Sequence, residues 1–295
     1  MWESTQHNLA VLGSPIAHSL SPVLHRAGYA VLGLDWSYDA LEMTGEGLPG
    51  FVGRLDSSWR GLSLTMPLKQ DVLPLLSYRD DLTMLTGGAN TVLLRRLADG
   101  SRPLEGFNTD VPGIVRALSA AGLAQVAHVA LLGGGATASS ALVASAQLGA
   151  ESVTVLARSP QRASFLAEVA RRSGIRLSIL PLAAESLAGL SADLLISTLP
   201  GDAAPTELLR GSRLVESSAL LDVSYHPWPS PLAGIWAEQG MPVLSGLAML
   251  VQQALIQIRI FVAGDPFAPL PEEEAILAAM QSAVGLDGNG LILPA

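Results

Sequence analysis

A short apolar segment that runs directly into three glycines constrains the fold of this chain more than any other feature. Residues 129–132 have the composition of a buried strand, and Gly133, Gly134 and Gly135 follow at once, before an alanine-rich helical stretch. A strand, a tight glycine turn and a helix in this order are typical of a βαβ unit, which builds a parallel sheet. Further strand-like segments follow at 152–157, 176–180, 193–198 and 219–223, with helical patterns between most of them.

The first 110 residues show a second series of the same kind. Strands are predicted at 8–13, 36–41, 60–65 and 88–94, and a helix at 22–32 with Ser21 as its N-cap. After residue 246 the chain is helical again, at 249–262 and 271–284, and 285–295 is predicted to be a loose tail. At 295 residues the chain suits two domains of about 150 residues each.

The predicted fold class is therefore α/β with two domains. One is an α/β/α domain with a mostly parallel mixed sheet, built from residues 1–110 and 246–295. The other comprises residues 111–245 and has the pattern of a Rossmann domain.

Composition excludes several classes of function. A net charge of −9 disfavours nucleic acid and anionic membranes as partners, and the absence of cysteine excludes disulfides and thiolate metal sites. The first ten residues lack the basic start and apolar run of a signal peptide, and glutamines and an arginine interrupt the apolar stretch 242–264, which favours a buried helix. The expected location is the cytoplasm. The five histidines show no metal-site spacing and are interpreted as structural or exposed, so no metal is predicted.

The glycine turn predicts a dinucleotide site. Residues 133–138, with Gly133, Gly134, Gly135, Ala136 and Thr137 in front, fit the pattern G-x-G-x-x-A. Glycine is needed where the turn is tight and where a pyrophosphate approaches the backbone, and the helix N-terminus offers N–H groups to phosphate. Alone, three glycines are often only a turn, but the position between strand and helix favours the dinucleotide interpretation.

The next strand ends at Ala157 and is followed by Arg158, Ser159 and Arg162. An acidic residue here would bind the 2′-hydroxyl of NAD, whereas two arginines and a serine suit the 2′-phosphate of NADP. The cofactor predicted is therefore NADP. The alternative is a solvated arginine pair at a strand end.

The segment after the first strand carries Ser19 and Ser21 at the entrance of a helix. Two hydroxyls and helix N-terminal amides form a compact anion site that needs no arginine. The alternative is that Ser21 only caps the helix and Ser19 faces solvent.

Lys69 is the one lysine beside sixteen arginines. Arginine stays charged, whereas a lysine ammonium can lose and regain its proton, so Lys69 is a candidate for proton transfer, with chance survival as the alternative. Asn90 and Asp110 also follow or end strand-like runs, and ligands of open α/β sheets bind at the carboxyl edge. A lysine with Asp and Asn nearby suits a polyhydroxylated ring.

These strings together resemble the shikimate dehydrogenase family from about Leu9 to Ala263. The resemblance rests on SPIAHSLSP (14–22), LTMPLK (64–69), GGANT (87–91), FNTD (107–110), DVSY (222–225) and SGLAMLVQQ (245–253). It implies NADPH-dependent, reversible reduction of 3-dehydroshikimate to shikimate, in the biosynthesis of chorismate and the aromatic amino acids.

The resemblance also implies roles for individual residues. Lys69 and Asp110 would be the catalytic pair, and Ser19 and Ser21 would bind the substrate carboxylate. The remaining positions are Thr65, Asn90, Tyr225 and Gln253 for ring hydroxyls or carboxylate, and Gly246 near the nicotinamide. The chain departs from many members in having Ala157 where they have Asn, and Gly135-Ala136-Thr137 in the glycine turn.

Three alternatives stay open at the level of sequence. A quinate/shikimate dehydrogenase that uses NAD would want an acidic residue near 157–159, and a methylene-tetrahydrofolate dehydrogenase lacks the SPIAHSxSP string. A catalytically silent NADP-binding sensor would bind cofactor without turnover. The expected partner is a small-molecule substrate, and the expected assembly is a monomer or homodimer.

Overall fold

The computed structural model describes residues 6–201 and 203–292, which form two compact units. The first unit contains the described residues up to Thr109 together with 250–288, and the second contains 110–249 together with the described residues from Asn289 on. The division drawn from the sequence differs in its details, because it placed residue 110, residues 246–249 and the end of the chain in the first unit. The functions assigned to the two units stay predictions at this point.

Twelve strands and fourteen α-helices occur in the described residues. The strands are β1 (Asn8–Gly13), β2 (Ser37–Glu42), β3 (Trp59–Leu64), β4 (Tyr78–Arg79), β5 (Thr91–Leu94), β6 (Leu104–Phe107), β7 (His128–Leu132), β8 (Ser152–Ala157), β9 (Arg176–Pro181), β10 (Leu194–Ser197), β11 (Ala219–Asp222) and β12 (Val243–Ser245). The helices are α1 (Ser21–Leu32), α2 (Leu48–Val52), α3 (Leu68–Asp71), α4 (Asp81–Thr86), α5 (Asp110–Ala120), α6 (Ala136–Gln147), α7 (Pro160–Ala163), α8 (Leu166–Ser173), α9 (Ala184–Leu187), α10 (Thr206–Leu209), α11 (Arg213–Ser217), α12 (Pro231–Glu238), α13 (Gly246–Ala263) and α14 (Glu273–Ala283).

The first unit contains a six-stranded mixed sheet in the order β2-β1-β3-β5-β6-β4. The pairs β1–β2, β1–β3 and β4–β6 are parallel, whereas β5 is antiparallel to both β3 and β6. The apolar residues of β1, β3 and β5 are buried, except for the half-buried Trp59, so helices cover a continuous core. The structure thus has the mostly parallel mixed sheet that the alternation of segments predicts.

The second unit contains a six-stranded sheet, wholly parallel, in the order β12-β11-β10-β7-β8-β9. Residues Leu194, Leu195 and Ile196 of β10 are fully buried. Continuous apolar strands are typical of parallel sheets, because helices pack on both faces. The glycine turn follows β7 and leads into α6, as the sequence predicts. The predicted fold class, with two α/β units of which the second is Rossmann-like, is confirmed.

Several local predictions were wrong. Helix α1 begins at Ser21 rather than Pro22, and Leu20 occupies the N-cap without a side-chain hydrogen bond, so Ser21 is not the cap. Strand β5 begins at Thr91 rather than at residue 88. Of the predicted loose tail, residues 293–295 lie outside the described residues; in the described part Leu286 is buried, whereas most of its neighbours are exposed. The short strands β4 and β12 are absent from the prediction because two or three residues carry no periodic pattern.

Helix α13 is long and apolar enough to cross a membrane by length and composition alone. However, 83% of its 18 residues are buried within the protein. The three glutamines along it, Gln252, Gln253 and Gln257, are buried as well. These features match a core helix, as the polar interruptions in its sequence predict.

Candidate functional site

Four chain segments of the first unit meet at one edge of its sheet. The segments after β1, β3 and β6 leave at the carboxyl ends of parallel strands. Asn90 reaches the same edge differently, because it precedes β5, which runs antiparallel to its neighbours. The sequence predicted the correct edge but placed Asn90 inside a strand. Residues from four separate segments are therefore brought together where open α/β sheets bind ligands.

The segment after β1 folds into a compact turn that ends in α1. The Ser14 N–H donates to the Met66 carbonyl at 2.9 Å, and the Ser19 N–H donates to the Ile16 carbonyl at 3.0 Å. Glu42 holds the turn from β2, since its Oε2 accepts the Ile16 N–H at 3.0 Å. The turn is thereby tied to strand β2 and to the segment that follows β3.

Ser19 and Ser21 lie at the N-terminal end of α1. Ser19 is half-buried and Ser21 is buried, and the Ser21 N–H donates to Ser19 Oγ at 3.4 Å. Pro22 has no N–H, so the helix start presents two hydroxyls beside its first amides. Such an arrangement favours a carboxylate or another small anion.

A buried cluster of amides and hydroxyls forms around Asn90. Its Nδ2 donates to Thr109 Oγ1 at 2.9 Å and to Gln253 Oε1 at 3.3 Å, and its Oδ1 accepts the Thr109 N–H at 2.8 Å. Gln253 is fixed in turn by its own Nε2, which donates to the Leu250 carbonyl at 2.9 Å. The cluster joins the start of β5, the end of β6 and helix α13. It holds two of the predicted substrate-binding side chains, Asn90 and Gln253, in one orientation.

Lys69 and Thr65 lie on the segment that follows β3. Lys69 is half-buried within α3, and its carbonyl accepts the Ala89 N–H at 2.9 Å, which ties this helix to the residue before Asn90. The Thr65 N–H donates to the Leu12 carbonyl at 2.9 Å. A Cβ at Gly13 would lie 2.3 Å from the Thr65 methyl, so the close approach of the two segments requires glycine.

Asp110 is buried and follows Thr109 directly in the chain. It is the first residue of α5, where the helix dipole favours a negative charge. Its backbone position is therefore set by the end of β6, by the cluster around Asn90 and by the start of α5.

The glycine turn of the second unit has the features that a dinucleotide needs. Gly133 has φ of 105°, and a Cβ there would lie 2.4 Å from Thr198 Oγ1. A Cβ at Gly134 would lie 2.7 Å from that of Ala163, whereas Gly135 has open space around it. No side chain within the described residues caps α6, so the amides at Ala136 and its neighbour Thr137 face outward from the helix start. This cradle fits a pyrophosphate.

The residues predicted to bind the 2′-phosphate of NADP lie at the end of β8. Arg158 and Arg162 are exposed, and Ser159 is half-buried before the short helix α7. The backbone N–H of Arg162 donates to the Ser159 carbonyl at 3.1 Å. This helical turn therefore brings Arg162 back towards Ser159. Two exposed guanidinium groups at the end of β8, the second strand of this unit, suit a phosphate.

Tyr225 and Gly246 lie on the segments that follow β11 and β12. Asp222 organises the first of these segments: its Oδ2 accepts the Ser230 hydroxyl at 2.6 Å and its Oδ1 accepts the Ser224 N–H at 3.2 Å. Burial raises the pKa of Asp222 above its ordinary value. Tyr225 is half-buried.

Gly246 begins α13 in a position that admits no side chain. A Cβ there would lie 2.0 Å from the Val223 carbonyl oxygen, which is backbone and cannot move aside alone. We therefore expect Gly246→Ala to lower the free energy of unfolding by about 2 kcal/mol or more, by steric strain. Thermal unfolding followed by circular dichroism measures the effect.

Gly234 provides the matched control for this substitution. It lies inside helix α12 with no atom within 4 Å of an added Cβ. Gly234→Ala should therefore raise the free energy of unfolding by about 0.5–1 kcal/mol, because alanine is the better helix former. Equal effects of the two substitutions would contradict the steric argument.

The sequence did not single out three residues that the structure places against this site. Thr109 lies in the string FNTD, but nothing in the sequence assigns it a role. Its place in the site is evident only from its hydrogen bonds to Asn90. His25 was interpreted only as structural or exposed, and it is fully buried; Gln257 lies one turn beyond Gln253 on α13. The spacing of four between the two glutamines was the available signal, since it places them on one helix face. No group of three or more His, Asp or Glu side chains in the described ranges is placed to hold a metal ion.

The fold and these sites together define the class of two-domain α/β proteins that bind a dinucleotide on a Rossmann sheet. Comparison with known proteins identifies the family. The shikimate dehydrogenase substrate binding domain matches residues 11–92. A shikimate dehydrogenase (NADP(+)) of Thermus thermophilus is 34% identical over 94% of this chain and 98% of its own.

Solved structures give the same result. The Mycobacterium tuberculosis shikimate dehydrogenase is 35% identical with a TM-score of 0.79, over 94% of this chain and 99% of its own. A shikimate 5-dehydrogenase of Thermus thermophilus, solved in complex with NADP(H) and shikimate, is 32% identical with a TM-score of 0.75, over 94% of this chain and 99% of its own. The chain belongs to the shikimate dehydrogenase family, and the resemblance seen in its sequence is confirmed.

Proposed function

We propose that this chain is an NADP-dependent oxidoreductase that interconverts 3-dehydroshikimate and shikimate, and that it reduces the former on the route to chorismate and the aromatic amino acids. Family membership and the names of the curated relatives support the activity and the cofactor. The observation in the structure that carries the proposal is the buried cluster of Asn90, Thr109 and Gln253 at the same sheet edge as the serine turn. It offers polar groups to a hydroxylated ring beside a site for its carboxylate.

The first unit, in this proposal, is the substrate-binding domain. Ser19 and Ser21 bind the substrate carboxylate with their hydroxyls and the helix amides behind them. Thr65, Asn90, Tyr225 and Gln253 contact the ring hydroxyls or the carboxylate. Because the amides of Asn90 and Gln253 are already hydrogen-bonded to each other, they need little reorganisation when the ring arrives.

The second unit is the NADP-binding domain. Gly133, Gly134 and Gly135, with the amides of Ala136 and Thr137, receive the pyrophosphate, and Gly246 leaves room near the nicotinamide. Arg158, Ser159 and Arg162 bind the 2′-phosphate. The bound cofactor supplies the hydride, so the chain itself has to orient the substrate and manage one proton.

Lys69 and Asp110 are proposed as the catalytic pair. In reduction, the Lys69 ammonium gives a proton to the carbonyl oxygen as negative charge develops there. In oxidation, the neutral amine removes the hydroxyl proton. Asp110 positions Lys69 and a substrate hydroxyl.

The proposal also covers the location, the assembly and the partners of the enzyme. We expect it in the cytoplasm, as a monomer or homodimer, with a small-molecule substrate and with neither nucleic acid nor membrane as a partner. The net charge of −9 and the burial of α13 support this expectation.

A four-way assay tests the proposed function. Oxidation of shikimate and of quinate is measured with NADP and with NAD, on the full-length protein. The proposal expects shikimate with NADP to be the best pair. A preference for NAD or quinate would favour the quinate/shikimate dehydrogenase, and cofactor binding without turnover would favour the silent sensor.

The arginine at the end of β8 allows a separate prediction for the cofactor. We expect Arg158→Gln to raise the KM for NADP by about 10–100-fold, the loss typical of one charge-assisted hydrogen bond to a phosphate, and to leave the KM for shikimate within about twofold. Steady-state kinetics with each substrate varied in turn measures both constants. Arg171→Gln is the control, since Arg171 is exposed on α8 and pairs with Glu168 instead. An unchanged KM for NADP would remove Arg158 from the 2′-phosphate site.

A further inference from the structure

Gln257 lies on helix α13 and supports Asn90, but it has no role in the catalytic scheme proposed above. Its side chain is buried on α13, and its Nε2 donates to the Asn90 carbonyl at 3.3 Å and to Thr91 Oγ1 at 3.0 Å. The Thr91 hydroxyl donates in turn to Asn90 Oδ1 at 3.0 Å. Gln257 therefore supports Asn90 both directly at the backbone and through the neighbouring threonine.

The other end of the Gln257 amide is also engaged. Its Oε1 accepts hydrogen bonds from Ser63 Oγ at 2.9 Å and from His25 Nε2 at 3.1 Å. The Asn90 carbonyl can only accept, so the amide nitrogen of Gln257 must face it and the amide oxygen must face His25. His25 consequently carries its proton on Nε2.

The state of His25 follows from its surroundings. Burial lowers the pKa of His25 to about 3, so the ring is neutral at ordinary pH. A neutral ring with its proton on Nε2 leaves Nδ1 as an acceptor, and the Tyr29 hydroxyl lies 3.2 Å from that atom and donates to it. The ring also stacks on Tyr38, with centroids 3.9 Å apart and planes 11° from parallel. Both nitrogens and one face of His25 are thus occupied.

A second branch leads from Gln257 to the serine turn. Ser63 gives its proton to Gln257, so its oxygen accepts from the Tyr38 hydroxyl at 2.6 Å. Because the Tyr38 proton goes to Ser63, the phenol oxygen accepts from the Ser21 hydroxyl, which must turn to the carboxylate when substrate binds. Burial raises the pKa of Tyr38 above its ordinary value, so the phenol stays protonated. The network therefore runs from Asn90 to Ser21 through buried, neutral groups.

We propose that Gln257 is a positioning residue that couples the two arms of the substrate pocket, the ring-binding Asn90 and the carboxylate-binding Ser21. This inference rests on the proposed function. The two arms belong to different segments, and a shikimate-sized ligand must reach both at once. A buried network in which each donor faces an acceptor holds such groups in one arrangement, whereas removal of one member leaves others unpaired.

Gln257→Leu tests the proposal directly. The substitution keeps the approximate volume of the side chain but removes the donor to Asn90 and the acceptor for Ser63 and His25. We expect kcat/KM for shikimate to fall by about 10–100-fold, mainly through a higher KM, with the affinity for NADP within about twofold of the wild type. Gln281→Leu is the matched control, because Gln281 is buried on α14 and donates to the Gly288 carbonyl at 3.4 Å, outside the network.

A double-mutant cycle with His25→Phe separates coupling from general damage. Phenylalanine keeps the stacking on Tyr38 but removes the Nε2 donor. We expect the double variant to lose little more kcat/KM than Gln257→Leu alone, because both substitutions break the same network. If Gln257→Leu does not fold, His25→Phe by itself must still raise the KM for shikimate and not that for NADP.

The outcomes distinguish this inference from the function on which it rests. If the wild-type protein does not oxidise shikimate with NADP, the proposed function fails. If the wild type is active and Gln257→Leu keeps its KM for shikimate within about twofold, only the positioning role fails. An equal rise in the KM for both substrates, or additive losses in the double variant, would also overturn it.

Discussion

Replacement of Lys69 by arginine is expected to lower kcat for shikimate oxidation by about 10²–10⁴-fold, the range typical of a general acid–base group. Arginine keeps the positive charge and much of the length of lysine, but it is effectively always protonated in proteins. It can therefore attract the substrate without accepting its proton. The KM for shikimate should change much less than kcat, and steady-state kinetics with shikimate varied at saturating NADP separates the two constants.

The control for Lys69→Arg is the reverse exchange at an exposed position. Arg54→Lys alters the same side-chain chemistry at the surface and should leave kcat unchanged. Near-normal turnover of Lys69→Arg would refute the proton-transfer role of Lys69. A large rise in KM with unchanged kcat would instead assign Lys69 to substrate binding alone.

Asp110→Asn is expected to have the second largest effect, a fall in kcat of about 10²-fold or more. Asparagine has nearly the same shape, so the substitution removes the charge that is proposed to orient the Lys69 ammonium, together with one acceptor for a substrate hydroxyl. Steady-state kinetics measures the loss, with thermal unfolding as a check on folding.

Asp81→Asn controls for the position of Asp110 at a helix start. Both residues are the first of their helices, but Asp81 is exposed on α4. The loss of a favourable charge–dipole interaction costs only about 0.3–1 kcal/mol of stability and should leave kcat unaffected. If the two variants lose the same small amount of activity, Asp110 has only a structural role.

The sequence predicts the architecture well because the elements that define it are long and periodic. Strands β7 and β10 and the glycine turn after β7 are evident from the apolar runs and from the glycines that end them. The division into units is less accessible. Helix α13 is continuous, yet the boundary between the units falls within it at residues 249 and 250, and no change in composition marks that place.

The candidate site is predictable only where residue types carry chemistry by themselves. Lys69, the serine pair and the arginines after β8 are visible for this reason. The direction of β5 is not, because strand polarity depends on pairing partners distant in sequence, and so Asn90 reaches the correct edge by an unforeseen route. His25 and Gln257 are ordinary core residues until their hydrogen bonds are known.

The most direct test of the central claim is the reaction in the biosynthetic direction. The purified chain is mixed with 3-dehydroshikimate and NADPH, the consumption of NADPH is followed by absorbance, and the product is identified by NMR. The expected result is one molecule of shikimate formed for each molecule of NADPH oxidised, and far slower consumption of NADH. No consumption of NADPH with 3-dehydroshikimate, or a product other than shikimate, would contradict the assignment of this chain as an NADP-dependent shikimate dehydrogenase.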